Sequence, residues 1–172
     1  APDRSKFSHG GEWGMGLNIL RSSDVVVRGT KVRDCWGDGI YVFAVRDVGI
    51  IGVRCTKNRR QGLSLISGTN VVIDSSIFEN TYGSKPAAGI DIEPDKPDYV
   101  LQDIVIRNCH LRRNRNGLEL ALKKARSNAK RIAIQNCKFD GNQDRAIKSD
   151  TFSWWQDICF RIFGYPTTYK FV

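Results

Sequence analysis

Six short segments of the chain alternate apolar and polar residues behind a small one: 15–19 (MGLNI), 38–42 (DGIYV), 61–65 (QGLSL), 88–92 (AGIDI), 116–120 (NGLEL) and a decayed 145–149 (RAIKS). Their second positions are 16, 39, 62, 89, 117 and 146, separated by 23, 23, 27, 28 and 29 residues. Each segment is followed at a nearly fixed offset by a β-branched run, at 24–27, 47–50, 70–73, 103–106, 131–134 and 157–160. A further apolar position then comes at Val32, Cys55, Phe78, Leu111 and Phe139. The unit reads strand, turn, strand, short third strand, turn, because Val and Ile favour strands while the intervening Gly, Asn, Asp and Ser supply turns.

One such coil cannot bury its own apolar residues, but stacked coils bury a continuous core. In each first strand the apolar pair sits at i and i+2 and therefore points to one face. Leu17/Ile19, Ile40/Val42, Leu63/Leu65, Ile90/Ile92 and Leu118/Leu120 are expected to form two aliphatic ladders. Small residues at Thr30, Ser76, Cys109 and Cys137 suit a tight corner. The predicted fold is all-β, a right-handed parallel β-helix of about six coils and roughly 29 Å in length at the strand spacing. A leucine-rich repeat would need Leu-x-x-Leu-x-Leu spacing, and a β-sandwich would not keep a 23-residue period. Only 118–129 (LELALKKARSNA) has helical propensity, and there the register favours a strand running into a basic loop. The expected organisation is an N-terminal extension at 1–11, the β-helix at 12–163 and a tail at 164–172.

Composition narrows the partners. With 27 Lys and Arg against 18 acidic residues, the charge of +9 favours polyanions. The basic stretches 112–115, 123–126 and 130–131 raise nucleic acid as a partner, but no recognition fold or interleaved aromatics accompany them, so nucleic acid is disfavoured. No apolar run is long enough for a membrane span, and no signal-peptide core precedes Glu12. Five cysteines without a CxxC pair argue for buried thiols rather than a zinc site or a disulfide framework. His9 and His110 lie apart in the register, so no histidine-based metal site or triad is expected.

The segments GDGIYV, GLSLISGTNVVIDSSIFENT, AGIDIEPD and DIVIRNC with NGLEL resemble the repeats of the pectate-lyase-like superfamily over residues 12 to about 163. That superfamily includes polysaccharide lyases, glycoside hydrolases, epimerases, phage tailspikes and non-catalytic adhesins, so the resemblance implies a fold more strongly than an activity. The polygalacturonase elements are absent apart from a faint echo at 146–149, and the epimerase-like 89–95 (GIDIEPD) lacks a histidine. The acidic cluster and arginine of calcium-dependent lyases cannot be placed. No cofactor or metal is indicated, although the resemblance leaves calcium open.

The register supplies candidates of its own. Residues between the buried pairs should stack as two outward columns: Asn18, Tyr41, Ser64, Asp91, Glu119, Lys148, and then Leu20, Phe43, Ile66, Glu93, Ala121, Asp150. Asp91, Glu93 and Glu119 form an acidic triangle beside Lys148, and adjacent carboxylates resist joint ionisation. These four are the expected catalytic set, unless they are a solvated charge ladder in which Lys148 neutralises Glu119. Arg59 and Arg60 suit bidentate recognition of a carboxylate, or else pair with Asp38 or Glu79. Trp13, Trp36 and Tyr41 offer faces for sugar rings, and Asp38 either joins the site or shapes its turn. Trp154 and Trp155 are read as a cap or a subunit contact. The expected function is binding and cleavage of an acidic polysaccharide by hydrolysis or elimination, at a cell exterior or virion surface. The alternative is a non-catalytic glycan-binding or structural module. A further domain or a homotrimer would cover the open coil ends.

Overall fold

The computed structural model describes residues 12–150 and the backbone of 158–161. The expected extension at 1–11, the tail at 164–172, His9, Trp154 and Trp155 lie outside the described residues. The chain winds through three parallel sheets. Sheet A stacks β1 (Leu17–Leu20), β4 (Ile40–Phe43), β7 (Leu63–Leu65), β10 (Ala88–Ile92), β13 (Asn116–Leu120) and β16 (Arg145–Ser149). Sheet B stacks β2 (Ser23–Arg28), β5 (Val45–Ile51), β8 (Gly68–Asp74), β11 (Leu101–Arg107), β14 (Ala129–Gln135) and β17 (Ile158–Arg161). Sheet C stacks β3 (Lys31–Arg33), β6 (Arg54–Thr56), β9 (Ile77–Glu79), β12 (His110–Arg112) and β15 (Lys138–Asp140). Five coils therefore carry all three strands, and a sixth is described only in sheets A and B. The stretch 118–129 is a strand, then a loop holding one 3-10 turn at Lys123–Ala125, as its register requires.

The ladders fall in the predicted register. Ile40, Leu63, Ile90 and Leu118 are paired coil to coil, as are Val42, Leu65, Ile92 and Leu120, and all eight are fully buried. Val71, Ile104 and Ile132 answer them from sheet B, and Cys55, Phe78 and Leu111 from sheet C. Burying each such side chain contributes about 1.5–3 kcal/mol. Cys55, Cys109 and Cys137 are free and buried, and burial pushes the Cys55 thiol well up. Cys35 is only half-buried.

Each coil turns on residues of positive φ. Gly29, Gly52, Ser75, Asn108 and Asn136 make the corner between sheets B and C, and Asp34, Lys57, Asn80, Arg113 and Gly141 make the corner after sheet C. A third set, Asp24, Asp47, Asn70, Asp103 and Arg131, bends each sheet-B strand near its start. Asn and Asp tolerate this conformation better than other side chains. Some stacked neighbours bond to one another: Asn70 Nδ2 donates to Asp47 Oδ1 (2.6 Å), and Asn136 Nδ2 to Asn108 Oδ1 (2.7 Å).

Inside the corner between sheets C and A runs a buried polar ladder. Asn58 accepts from the Cys35 amide (3.2 Å), Asn114 from the Thr81 amide (3.1 Å) and Asn142 from the Asn114 amide (3.0 Å). The repeat glycines pack against it. A Cβ on Gly39 would stand 2.4 Å from Asn58 Nδ2 and 2.6 Å from the Gly62 carbonyl oxygen. A Cβ on Gly62 would stand 2.3 Å from the Gly89 carbonyl oxygen. Lack of room therefore selects glycine at this column. Gly62→Ala is expected to lower stability by about 2–3 kcal/mol, against about 1 kcal/mol for Gly29→Ala, where φ is +63° but nothing lies within 4 Å of the added carbon. Urea midpoints measure both, and equal losses would refute the packing account.

Candidate functional site

The outward column of sheet A is in register from end to end: Asn18, Tyr41, Ser64, Asp91, Glu119 and Lys148 are successive backbone partners. The second column follows, since the amides of Ile66, Glu93, Ala121 and Asp150 bond the carbonyls of Val42, Leu65, Ile92 and Leu120. These side chains leave the core but do not all reach water. Ser64 and Asp91 are each 1% exposed, Asp38 is fully buried and Glu119 is 8% exposed. The expectation of an open acidic face at Asp91 is thus corrected. The residues before three of the repeat glycines, Asp38, Gln61 and Asn116, engage the column. Gln61 Nε2 donates to Asp91 Oδ2 (2.8 Å), Ser64 Oγ donates to Asp38 Oδ2 (2.7 Å), and Asn116 Nδ2 donates to Glu119 Oε2 (3.2 Å).

Arg60 binds this layer together. Its Nη1 donates to Asp38 Oδ2 (3.1 Å), its Nε stands 3.2 Å from Glu12 Oε2, and its Nη2 stands 4.0 Å from Glu93 Oε2. The Arg59 guanidinium lies 4.3 Å from the centre of the Trp36 ring. Lys148 Nζ pairs with Glu119 Oε1 at 2.5 Å, so the neutralising contact is real. Among the described residues no three His, Cys, Asp or Glu side chains converge as metal ligands.

Two hollows lie on this face, and Arg60 lines both. The smaller, about 110 Å³, is bounded by Glu12, Trp13, Met15, Tyr41, Ile66 and Asp95. The larger, about 710 Å³, has Glu93, Glu119, Asn116 and Asp144 beside Lys85, Arg115, Arg145 and Lys148. The structure therefore brings Trp13, Tyr41, Arg60, Glu93, Glu119 and Lys148 to one face, sets Asp38 and Asp91 beneath it, and leaves Trp36 and Arg59 in neither hollow. Sequence reasoning missed Lys85, Arg115, Asn116, Asp144 and Arg145. The signal was available for most of them, because Arg115, Asn116, Asp144 and Arg145 sit one or two places before a repeat glycine or Ala146, as Arg60 and Gln61 do. Lys85 belongs to the longer turn at 80–87, where no repeat pattern marks it.

Burial dominates the electrostatics. The Asp91 carboxyl is pushed well above the ordinary carboxylate range by loss of water, with Glu93 and Glu119 adding to the rise and Arg60 opposing it. Among the described residues its Oδ1 has no hydrogen-bond partner. Burial also raises Asp38 to about 6, against the lowering effects of Arg60 and Ser64.

Comparison with known proteins adds relatives to this geometry. The family model described as "Right handed beta helix region" matches residues 3–126. Among curated proteins, the SPbeta prophage-derived uncharacterized protein YorA of Bacillus subtilis (strain 168) is 24% identical, over 67% of this chain and 22% of its own length. Among solved structures, the crystal structure of pectate lyase Pel9A superposes with a TM-score of 0.51 at 18% identity, covering 74% of this chain and 29% of that one. This chain spans about a fifth of the curated relative and under a third of the solved one. Among the described residues no helix is long and apolar enough to cross a membrane.

The raised Asp38 pKa carries a sign. The folded state holds this proton more tightly than the unfolded chain, so stability is lost as pH rises from about 4 to about 6. Relative to Asp38→Asn, the wild type should lose on the order of 3 kcal/mol across that window. Urea titrations of both proteins at several pH values measure the difference, and parallel curves would contradict the assignment.

Proposed function

Because the chain belongs to the right-handed β-helix family, whose stacked coils make one continuous outer face, we propose that the sheet-A face binds and cleaves an acidic polysaccharide. The carrying observation is the 710 Å³ cleft, whose walls set Glu93 and Glu119 among the cations Arg60, Lys85, Arg115, Arg145 and Lys148. A neutral sugar needs no such ring of cations, whereas a chain of uronates brings one carboxylate per residue to be matched. Trp13 and Tyr41 in the adjoining hollow extend the face with rings on which sugars can stack. Arg60 stands at the junction, where a chain crossing from one hollow to the other must pass it.

Chemistry at this face needs a proton and a base. Burial pushes the Asp91 carboxyl under the cleft well above the ordinary carboxylate range, directly beside Glu119 in the column. Glu93 and Glu119 reach the cleft itself and are the groups that would touch a glycosidic bond. In hydrolysis one of them protonates the leaving oxygen while the other acts as base or nucleophile. In elimination, Lys148 or Arg60 neutralises the uronate carboxylate while a carboxylate takes the C5 proton, and the electron pair left behind forms the C4=C5 double bond as the C4–O bond breaks and the leaving oxygen is protonated. One observation favours a second reading, a binding module without catalysis. Both Glu119 oxygens are already engaged, by Lys148 and Asn116, and Asp91 is closed over.

Digestion of polygalacturonate and alginate separates the readings. Reducing ends with no rise in ultraviolet absorbance mark hydrolysis, and an equal rise from unsaturated uronate marks elimination. With a cleaved polymer in hand, Glu119→Gln should reduce kcat by about 10²–10⁴ with the melting temperature kept. Retention of full activity removes Glu119 from the reaction. Tight binding without products supports the module.

A further inference from the structure

Sheet C carries a second charged surface that shares no lining residue with the sheet-A cleft. Its central residues point into the core, so the flanking ones face out in two columns. One runs Lys31, Arg54, Ile77, His110, Lys138, and the other Arg33, Thr56, Glu79, Arg112, Asp140. The following corner adds Lys57, Asn80 and Arg113. Glu79 is 1% exposed and organises the rest. It accepts two bonds from Arg54, one from Arg112 Nε (2.7 Å) and one from Arg113 Nη2 (2.9 Å). Three guanidiniums on one carboxylate leave two positive charges over. Each guanidinium has five donors, so only a minority of those present are used on Glu79.

A groove of about 540 Å³ opens beside this cluster. Its lining holds five cations (Lys31, Arg33, Arg54, Lys57, Arg113) and one acid, Glu79, a net charge of +4 from five minus one. Lys31 and Lys57 have no ion pair among the described residues. Thr56 and Asn80 complete the lining, and no aromatic ring contributes. The residues come from four successive coils, a length of about 14 Å at the strand spacing.

We propose that this groove is a second, non-catalytic site for an anionic polysaccharide, with Arg54 and Arg113 gripping its carboxylates or sulfates and Thr56 and Asn80 meeting its hydroxyls. Glu79 is a positioning residue, fixing the guanidiniums in advance so that less side-chain freedom is lost on binding. A single-stranded nucleic acid would find charge here but no ring on which to stack its bases. The proposal does not depend on catalysis at sheet A. Two sites on different faces of one rod would hold a long glycan at two points, raising its effective concentration at the sheet-A cleft.

Lysine acetylation footprinting of the whole chain at low salt tests this, with a heparin fragment, a polygalacturonate oligomer and an oligo-dT of equal charge as probes. Lys31 and Lys57 should be modified about tenfold more slowly with either glycan and much less protected by oligo-dT, and Arg113→Gln should remove the protection. Lys85 and Lys148 report the sheet-A cleft in the same experiment, so failure at one face is distinguishable from failure at the other. Unchanged modification of Lys31 and Lys57 at saturating glycan overturns the site. Equal protection by oligo-dT overturns the class of partner.

Discussion

Stacking is fixed by the contact between each repeat glycine and the carbonyl of its counterpart one coil further on. No carbon can be added at Gly39, Gly62, Gly89 or Gly117 without meeting a backbone oxygen at 2.8 Å or less. Asn58, Asn114 and Asn142 fill the same corner with their amides, bonding backbone groups that would otherwise be buried and unsatisfied. Coils held this closely cannot slide by a residue, because a slip would drive a side chain into that corner. The columns on sheet A, and the functional proposal built on them, inherit their alignment from this packing.

The register was legible because it is written twice, in the glycine spacing and in the apolar pairs. Asp91 beside Glu119 beside Lys148 follows from counting positions after Gly89, Gly117 and Ala146. Burial was not legible. A column position looks outward on paper, but Ser64 and Asp91 are covered by polar side chains from the preceding corner. Strand periodicity describes what a strand does with its own residues and is silent about what reaches across from the turn. The left-handed bends had a trace in the sequence, since Asp24, Asp47, Asn70 and Asp103 each open a β-branched run. Arg131 occupies the same bend without belonging to the favoured residue types, so composition alone does not mark it. Arg59 and Arg60 are neighbours with different partners, Trp36 for one and Asp38 for the other, and a dipeptide cannot show that division.

The two charged faces resolve the same problem in opposite ways. Around Arg60 on sheet A one guanidinium serves several carboxylates, and burial raises the two beneath the face, Asp38 and Asp91. On sheet C one carboxylate serves several guanidiniums, so positive charge is left over. The net charge of +9 is therefore unevenly distributed, and its placement says more about partners than its size.

Arg60 has one more consequence. A solenoid is ordinarily coupled only between adjacent turns, which lets it fray from either end one turn at a time. Arg60, leaving the corner between the second and third coils, touches Glu12 ahead of the first coil and approaches Glu93 in the fourth. Losing the first coil thus removes a partner from a charge that is mostly shielded from water, and the disturbance reaches turns not adjacent to the break. The front of the rod is thereby tied from Glu12 to Glu93 into one cooperative unit.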